Sequence, residues 1–586
     1  MTLSAIFTIL LVAVLVIVLY KDYLRPAFAF MGAAFLLMLF SVITPEEFLT
    51  GLANKQIIVI FLLIGLTAGI QKNIGSGFFY ALFSKKLKPG HFRFRMMVFV
   101  GSLSAILNNT PIVAFMIPYV KEWSETNKYP ASKFLIPLSY ATILGGMITV
   151  VGTSTNLVLN GLISQYGQPL LSFTDFFYLG LLVASSGIAY LSIASNYFLP
   201  DRQENKTQII EHLNQYLIET FVPSDSSMIG KSVKEAGLRN LKEIFLAEIS
   251  RSGKDISPVS PQEILQEGDK LFFTGNTKAI LSLINEKTGL SLPEDSHVSM
   301  NGYFQLTEAV VPTSSSLIGE KIKDSDFRMK FQASIISIHR NGEQLKGNIG
   351  ETKIHAGDLL LMLTGENQVK TDTLKDLIIV TRRGEIQKKT QKRSMLPSIL
   401  AILILLMGIG GWIDLFMAAF GGIIILYLFK VLNLNTLSKS IDLDLLMILI
   451  CSLAIGVALT NSGAAGILVE GILEVSESVG IMMSISLLFL ITLVLTSLIT
   501  NAAAVSIMFP IAMEMGLQLE QPLTPFFVAI AFAASGDFMT PIGYQTNLMI
   551  MGPGNYKFKD YFGIGLPLTF IYTAIVLVFI KMYYLS

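Results

Sequence analysis

The sequence predicts a polytopic α-helical membrane protein. Its two halves form an inverted repeat, each with five spans plus one re-entrant hairpin, around a cytoplasmic α+β insert of two modules. Three observations carry this. Of 586 residues, 52% are hydrophobic and 15% charged, against about 25% charged in a soluble domain, and mean hydropathy is +0.60. The polar run GTSTN at 152–156 interrupts an apolar stretch and returns in altered form as GYQTN at 543–547. Between the apolar halves, ETFVPSDSSMIGKSV (219–233) lies over EAVVPTSSSLIGEKI (308–322), an offset of 89 residues.

The N-terminal stretch MTLSAIFTILLVAVLVIVLYKDYLRP lacks a basic leading region and a small-residue cleavage site. It reads as the first span, 3–20, and not as a signal peptide. Further stretches near the 20 residues a span needs are 26–44, 55–74, 133–160 and 174–198, then 395–411, 413–430, 443–461, 523–551 and 562–583.

Two apolar stretches remain, 96–120 and 481–512. Lys85, Lys86, Lys88, Arg93 and Arg95 precede the first, and Lys121, Lys128 and Lys133 follow it. Short loops rich in Lys and Arg stay in the cytoplasm. Both ends of 96–120 then lie inside only if it is a hairpin. The second stretch lies in a region, 440–556, without Lys or Arg, where Glu470, Glu474, Glu477, Glu514 and Glu520 occur. It reads as a hairpin entered from outside. Five spans per half, an odd number, invert the topology of the second half.

The block from 201 to 392 is polar. The offset of 89 also relates Arg251 to Arg340, Gly253 to Gly342, and Gly268-Asp269 to Gly357-Asp358. Each copy reads as a Ser-rich turn, a short helical stretch, an alternating strand, a hairpin and a last strand. Neither carries a GxGxxG loop after a strand, so a dinucleotide-binding half is not expected. Domain bounds follow as 1–200, 201–300, 301–392 and 393–586.

The halves match at their polar centres. LSAILNNTPIVAFMIP (103–118) lies over LTSLITNAAAVSIMFP (495–510), pairing Asn109 with Asn501 and Pro118 with Pro510. GGMITVVGTSTNLVLNG (145–161) lies over GDFMTPIGYQTNLMIMG (536–552), with Thr149/Thr540, Gly152/Gly543 and the Thr-Asn-Leu run shared. Matched broken segments in an inverted repeat place a binding site where the breaks meet. Non-helical backbone at membrane depth must face protein or a watery cavity. Helix N-termini past the breaks attract anions, and carbonyl and hydroxyl oxygens there suit sodium. Ser104 and Thr496 each precede the paired Asn by about one helical turn, which predicts stacked oxygens on one helix face. The stretches 96–120 and 134–201 contain no Lys or Arg. A bound anion would therefore depend on co-bound cations for positive charge.

Other classes are weighed against this. The net charge is +1 and no basic tract occurs, so nucleic acid is not an expected partner. The single Cys451 excludes an internal disulfide and a cysteine metal site. No nucleophile–base set or phosphate loop suggests an enzyme. Ser, Thr and Gly also line ordinary helix contacts in membranes. The duplication of GTSTN is what favours a functional reading. Asp537 is an acid within a span, which is costly and usually functional. Contact with a cation, proton carriage and orientation of the Gly543 loop all stay open for it, and its repeat counterpart is Gly146.

These residues resemble the divalent anion:sodium symporters of the ion transporter superfamily. The resemblance covers both membrane halves. The insert resembles paired TrkA-C domains, the C-terminal half of the RCK regulators of potassium channels. Such an insert points to a sulfate-transporting or uncharacterised branch. The family's Ser-Asn-Thr hairpin-tip motif reads Asn108-Asn109-Thr110 and Thr500-Asn501-Ala502 here. The resemblance implies one sodium site at Ser104, Asn109 and Gly152, and a second at Thr496, Asn501 and Gly543. It also implies a multi-pass protein of the cell membrane, the inner membrane of a bacterium, working as a homodimer by an elevator motion. Substrate contacts fall on Asn108, Asn109, Thr110, Thr153, Ser154, Asn501, Ala502, Tyr544 and Gln545.

In dicarboxylate members both motif threonines hold carboxylates, and here one is Ala502. Bulky Tyr544 and Gln545 also fill the second loop. A small oxyanion such as sulfate fits that pattern, and a dicarboxylate stays the alternative. A potassium channel and a membrane anion sensor are the rival classes. The insert reads either as a receptor for a small cytosolic ligand or as a dimerisation module.

Overall fold

A computed structural model describes residues 2–21, 23–24, 26–52, 54–82, 87–202, 217–238, 244–251, 254–256, 259–275, 290, 305–313, 315–331, 333–340, 343–345, 349–364, 376–382, 395–433, 437, 443–476 and 480–585. Lys85, Lys86, Gly253, Gly342 and Glu477 lie outside the described residues.

The first half runs α1 (Leu3–Tyr20), α2 (Pro26–Leu39), α3 (Pro45–Leu52), α4 (Lys55–Leu82), α5 (Pro89–Ser104), α6 (Asn109–Asn127), α7 (Leu135–Gly146), α8 (Ser154–Gln165) and α9 (Phe173–Phe198). Thr2 caps α1, accepting from Ala5 N at 3.2 Å. Ser172 and Asp175 form a capping box on α9, satisfying N–H groups that the helix leaves unpaired. The apolar stretch 26–44 is not one helix. It stops at Leu39, Ser41 takes a positive φ of 55°, and Pro45 opens α3.

α5 and α6 turn back on each other through 105–108. Phe92, near the start of α5, stacks on Trp123, near the end of α6, with centroids 3.8 Å apart and planes at 2°. Arg93 donates to Ser192 O at 2.8 Å and Asn196 Oδ1 at 2.9 Å. The two ends of this helix pair therefore lie together, beside the end of α9.

Two sheet-bearing units follow. β1 (Leu217–Phe221), β2 (Ile244–Arg251), β3 (Lys254–Ile256) and β4 (Lys270–Gly275) form an antiparallel sheet ordered β1-β4-β2-β3. β5 (Gln305–Val310), α10 (Phe327–Phe331), β6 (Ala333–Arg340), β7 (Glu343–Gln344), β8 (Leu359–Thr364) and β9 (Ile378–Arg382) form the second unit, with its sheet ordered β7-β6-β8-β5-β9. The units repeat each other in detail. Arg251 Nε donates to Asp269 Oδ1 at 2.8 Å, and Arg340 Nε to Asp358 Oδ1 at 2.7 Å. Both aspartates follow a glycine at positive φ, Gly268 at 79° and Gly357 at 82°, a conformation that favours glycine.

The second half runs α11 (Leu396–Ile409), α12 (Leu415–Leu428), α13 (Leu443–Asn461), α14 (Ala464–Ser476), α15 (Ile481–Leu498), α16 (Asn501–Gln518), α17 (Thr524–Ser535), α18 (Gln545–Met551) and α19 (Phe558–Tyr584). Cys451 is buried in α13. Among the described residues, α1, α9, α15 and α19 are long and apolar enough to cross a membrane, and α13 and α14 form a pair bent by 71°. α2, α11 and α12 have 14 residues each, a length of ~21 Å. The expectation of five full spans per half thus gives way to a mixture of full, short and broken helices. The apolar stretches 133–160 and 523–551 are both broken, between α7 and α8 and between α17 and α18.

Candidate functional site

The first polar centre is built where α5 ends. The Ser104 hydroxyl donates to Asn109 Oδ1, and both residues are buried. The two do not share a helix face as the spacing suggested. Ser104 closes α5 and Asn109 opens α6, so they meet across the turn between the helices.

The break between α7 and α8 closes on the same place. Thr149 Oγ1 donates to Ala105 O and accepts from Val151 N at 3.2 Å and Gly152 N at 3.1 Å. Asn156 Nδ2 donates to Thr149 O at 3.0 Å. One threonine and one asparagine thus satisfy backbone groups that the helix has given up. A Cβ on Gly152 would lie 2.5 Å from Gly146 O and 2.7 Å from Ser104 O, and one on Gly146 would lie 2.7 Å from Asn109 Oδ1. Small residues here leave an oxygen-lined cradle between the helix pair and the break.

The second centre repeats this construction. Asn547 Nδ2 donates to Thr540 O at 3.2 Å, and Gly543 N to Thr540 Oγ1 at 3.5 Å. A Cβ on Gly543 would lie 2.5 Å from Thr496 O. Thr496 Oγ1 donates to Ala534 O at 2.7 Å. With its amide oriented to satisfy its neighbours, Asn501 donates to Gly543 O at 3.1 Å, Ala534 O at 3.3 Å and Thr496 Oγ1 at 2.9 Å. The two centres differ at Asp537, which is fully buried. Its carboxylate accepts from Thr540 Oγ1 at 2.9 Å and Ser497 Oγ at 3.2 Å. These bonds tie it to the loop that presents Gly543.

Side chains of the second break reach the first half. Asn109 Nδ2 donates to the Tyr544 hydroxyl at 3.4 Å, and Thr153 Oγ1 lies 3.5 Å from that oxygen. Thr110 Oγ1 donates to Gln545 Oε1 at 3.3 Å. Ser139 Oγ, on α7, contacts Thr546 Oγ1 at 2.9 Å and Asn547 Oδ1 at 2.7 Å. The polar centres of the two halves are therefore joined through Tyr544 and Gln545.

Of the residues singled out in the sequence, Ser104, Asn109 and Gly152 gather at the first centre. Thr496, Asn501 and Gly543 gather at the second. Asn109, Thr110, Thr153, Tyr544 and Gln545 form the junction. Asn108 caps α6 without a side-chain cap bond, and Ser154 opens α8; both are half-buried. Ala502 is buried in the first turn of α16. Ser139, Ser497 and Ser535 were not singled out. Ser535 Oγ, at the end of α17, is buried without a hydrogen-bond partner among the described residues. Thr149 and Asn156, with Thr540 and Asn547, were visible as duplicated positions; the lone serines left no such signal.

The chain matches a family described as citrate transporter, over residues 11–521 and 401–585. A Chlamydomonas reinhardtii protein, provisionally named a sulfur deprivation response regulator, is 32% identical over 573 residues, covering 94% of this chain and 97% of that protein. An uncharacterized transporter of Synechocystis is 30% identical, covering 92% and 90%. Sodium/sulfate cotransporter 1 of Chlamydomonas reinhardtii is 28% identical over 375 residues, 59% of this chain and 42% of that one.

Proposed function

Because the chain belongs to the citrate transporter family, and is thus a polytopic helical membrane transporter, we propose that it imports a small divalent oxyanion, sulfate or a close analogue, coupled to sodium. Relatives named as sodium/sulfate cotransporters support this reading. The observation that carries it is the junction at Tyr544. One hydroxyl lies against Asn109 and Thr153, so the tip of the first helix pair and both breaks contribute to one polar centre, formed without a Lys or Arg side chain. A divalent anion there meets amides, hydroxyls and helix N-termini. Sodium at the two cradles beside it, Ser104–Asn109–Gly152 and Thr496–Asn501–Gly543, supplies the positive charge. Anion and sodium binding are then reciprocally linked.

The two halves act as an inverted repeat, and the helix pairs and broken spans slide together as an elevator within a homodimer of the cell membrane. The polar insert acts as a cytoplasmic pair of TrkA-C-like modules able to take a small ligand. A dicarboxylate is the second reading. Thr110, which survives from the family motif, and the family's description favour it.

Uptake of labelled sulfate and succinate into proteoliposomes, with and without a sodium gradient, separates the readings. Sulfate accumulation that needs inward sodium is the expected result. Large single-channel currents, or sulfate binding without accumulation, would sink the proposal. Asn109→Ala and Asn501→Ala should each abolish sodium-dependent uptake. Full activity in both would remove the site assignment.

A further inference from the structure

The two sheet-bearing units are not attached alike. Buried residues of the first, among them Val222, Leu246 and Phe273, form a cluster of their own. Val310, Leu359 and Val380 of the second belong instead to the continuous apolar core of the membrane helices. Beside them, Lys121 of α6 pairs with Glu308 of β5 at 2.7 Å, with side chains only 3% and 15% exposed. A pair so shielded from water is costly to separate. On the other side, a Cβ on Gly357 would lie 2.7 Å from Leu548 Cγ of α18, and one on Gly552, next to α18, would lie 2.7 Å from Leu359 Cβ. β9 packs along α6.

The second unit thus touches one helix from each half. Each helix carries a junction residue at its other end. α6 begins at Asn109 and Thr110, and α18 begins at Gln545. Thr110 and Gln545 touch each other at 3.3 Å. From Thr110 to Lys121 the distance along α6 is ~16 Å, and Pro118 lies within that stretch.

We propose that the second α+β unit is a clamp across the seam of the two halves. Its surface around Glu308, Val310, Gly357 and Leu359 binds α6 and α18 together and thereby sets the geometry at Thr110 and Gln545. The choice of these two helices as levers on a transport site rests on the transport reading above; the clamp itself rests on the contacts. Because coupling is reciprocal, occupation of the site should tighten the clamp, and loosening the clamp should weaken the site.

Hydrogen exchange on the full chain in nanodiscs tests this. Glu308→Gln is expected to speed exchange of amides 545–552 and 109–121 at least tenfold over wild type. Leu359→Ala, which leaves the ion pair intact, should do the same for 545–552, and it keeps the test decisive should Glu308→Gln misfold. Unchanged exchange at 545–552 in a folded variant overturns the clamp. In wild type, sodium sulfate should slow exchange at 305–310 and 359–364, where potassium sulfate does not. Loss of that protection in a protein that still accumulates sulfate overturns the coupling. If wild type takes up no sulfate, the transport reading fails, while the variant exchange data still decide the clamp.

Discussion

Gly152 sits where three backbone segments converge, and its neighbours explain why nothing larger fits. The atoms a Cβ would meet are the carbonyl oxygens of Gly146 and Ser104, and a methyl group can be admitted only by moving main chain. Overpacking of this kind costs about 1–3 kcal/mol. Gly152→Ala should abolish sodium-dependent uptake and lower the thermal midpoint, whereas Gly90→Ala, where no atom lies within 4 Å of a Cβ, should leave both unchanged. Ala502 makes a complementary case. Restoring the hydroxyl with Ala502→Thr is expected to shift the uptake ratio toward succinate over sulfate, and an unaltered ratio would count against the substrate argument. The residues themselves were legible because they occur twice: Gly152 with Gly543, Asn109 with Asn501. Their spatial relation was less so. A spacing of five residues from Ser104 to Asn109 looks like one helical turn, whereas the flanking charges read 96–120 as a hairpin; the chain reverses between the two residues, so the shared helix face was the reading that failed. The tie from Tyr544 to Asn109 joins residues 435 apart, beyond any periodic signal.

Single elements show the same division. The paired Arg–Gly–Asp positions of the insert predicted two matching sheets, and Arg251–Asp269 and Arg340–Asp358 recur with the same bonding. α3 was missed because Glu46 and Glu47 make its first turn acidic, unlike a span. α14 was missed because Gly463, at a φ of 76°, ends one apolar helix and lets another start at an angle. Within the second sheet, His339 of β6 is held below the usual imidazole value by burial, with nearby Glu308 opposing the shift. Its neutral form is the one the fold accommodates. The stability it supports is therefore complete above the unfolded value of ~6.5 and is lost as pH falls through and below that value. Thermal unfolding between pH 7 and 5 should show the second unit weakening on acidification, and His339→Phe should flatten that profile.

For the whole molecule, the proposed anion site, built without cationic side chains, predicts that the folded state responds to pairs of ions. Sulfate with potassium should leave the thermal midpoint where it is. Sulfate with sodium, each at about 100 times its dissociation constant, should stabilise by more than the sum of each alone, a single saturating ligand contributing ~2.7 kcal/mol. Equal shifts in sodium and potassium salts would argue against the coupling. At this scale the apolar stretches and the polar block between them were legible in the sequence, but not the seating of one unit on α6 and α18. That seating is made of contacts such as Gly357 against Leu548, invisible until both are placed. The molecule also carries one practical property. Cys451 is its sole thiol and lies fully buried in α13. A fluorophore or spin label directed at an introduced surface cysteine would therefore report that position alone, so distances between chosen sites on the two halves are measurable in the native chain without first stripping it of cysteines.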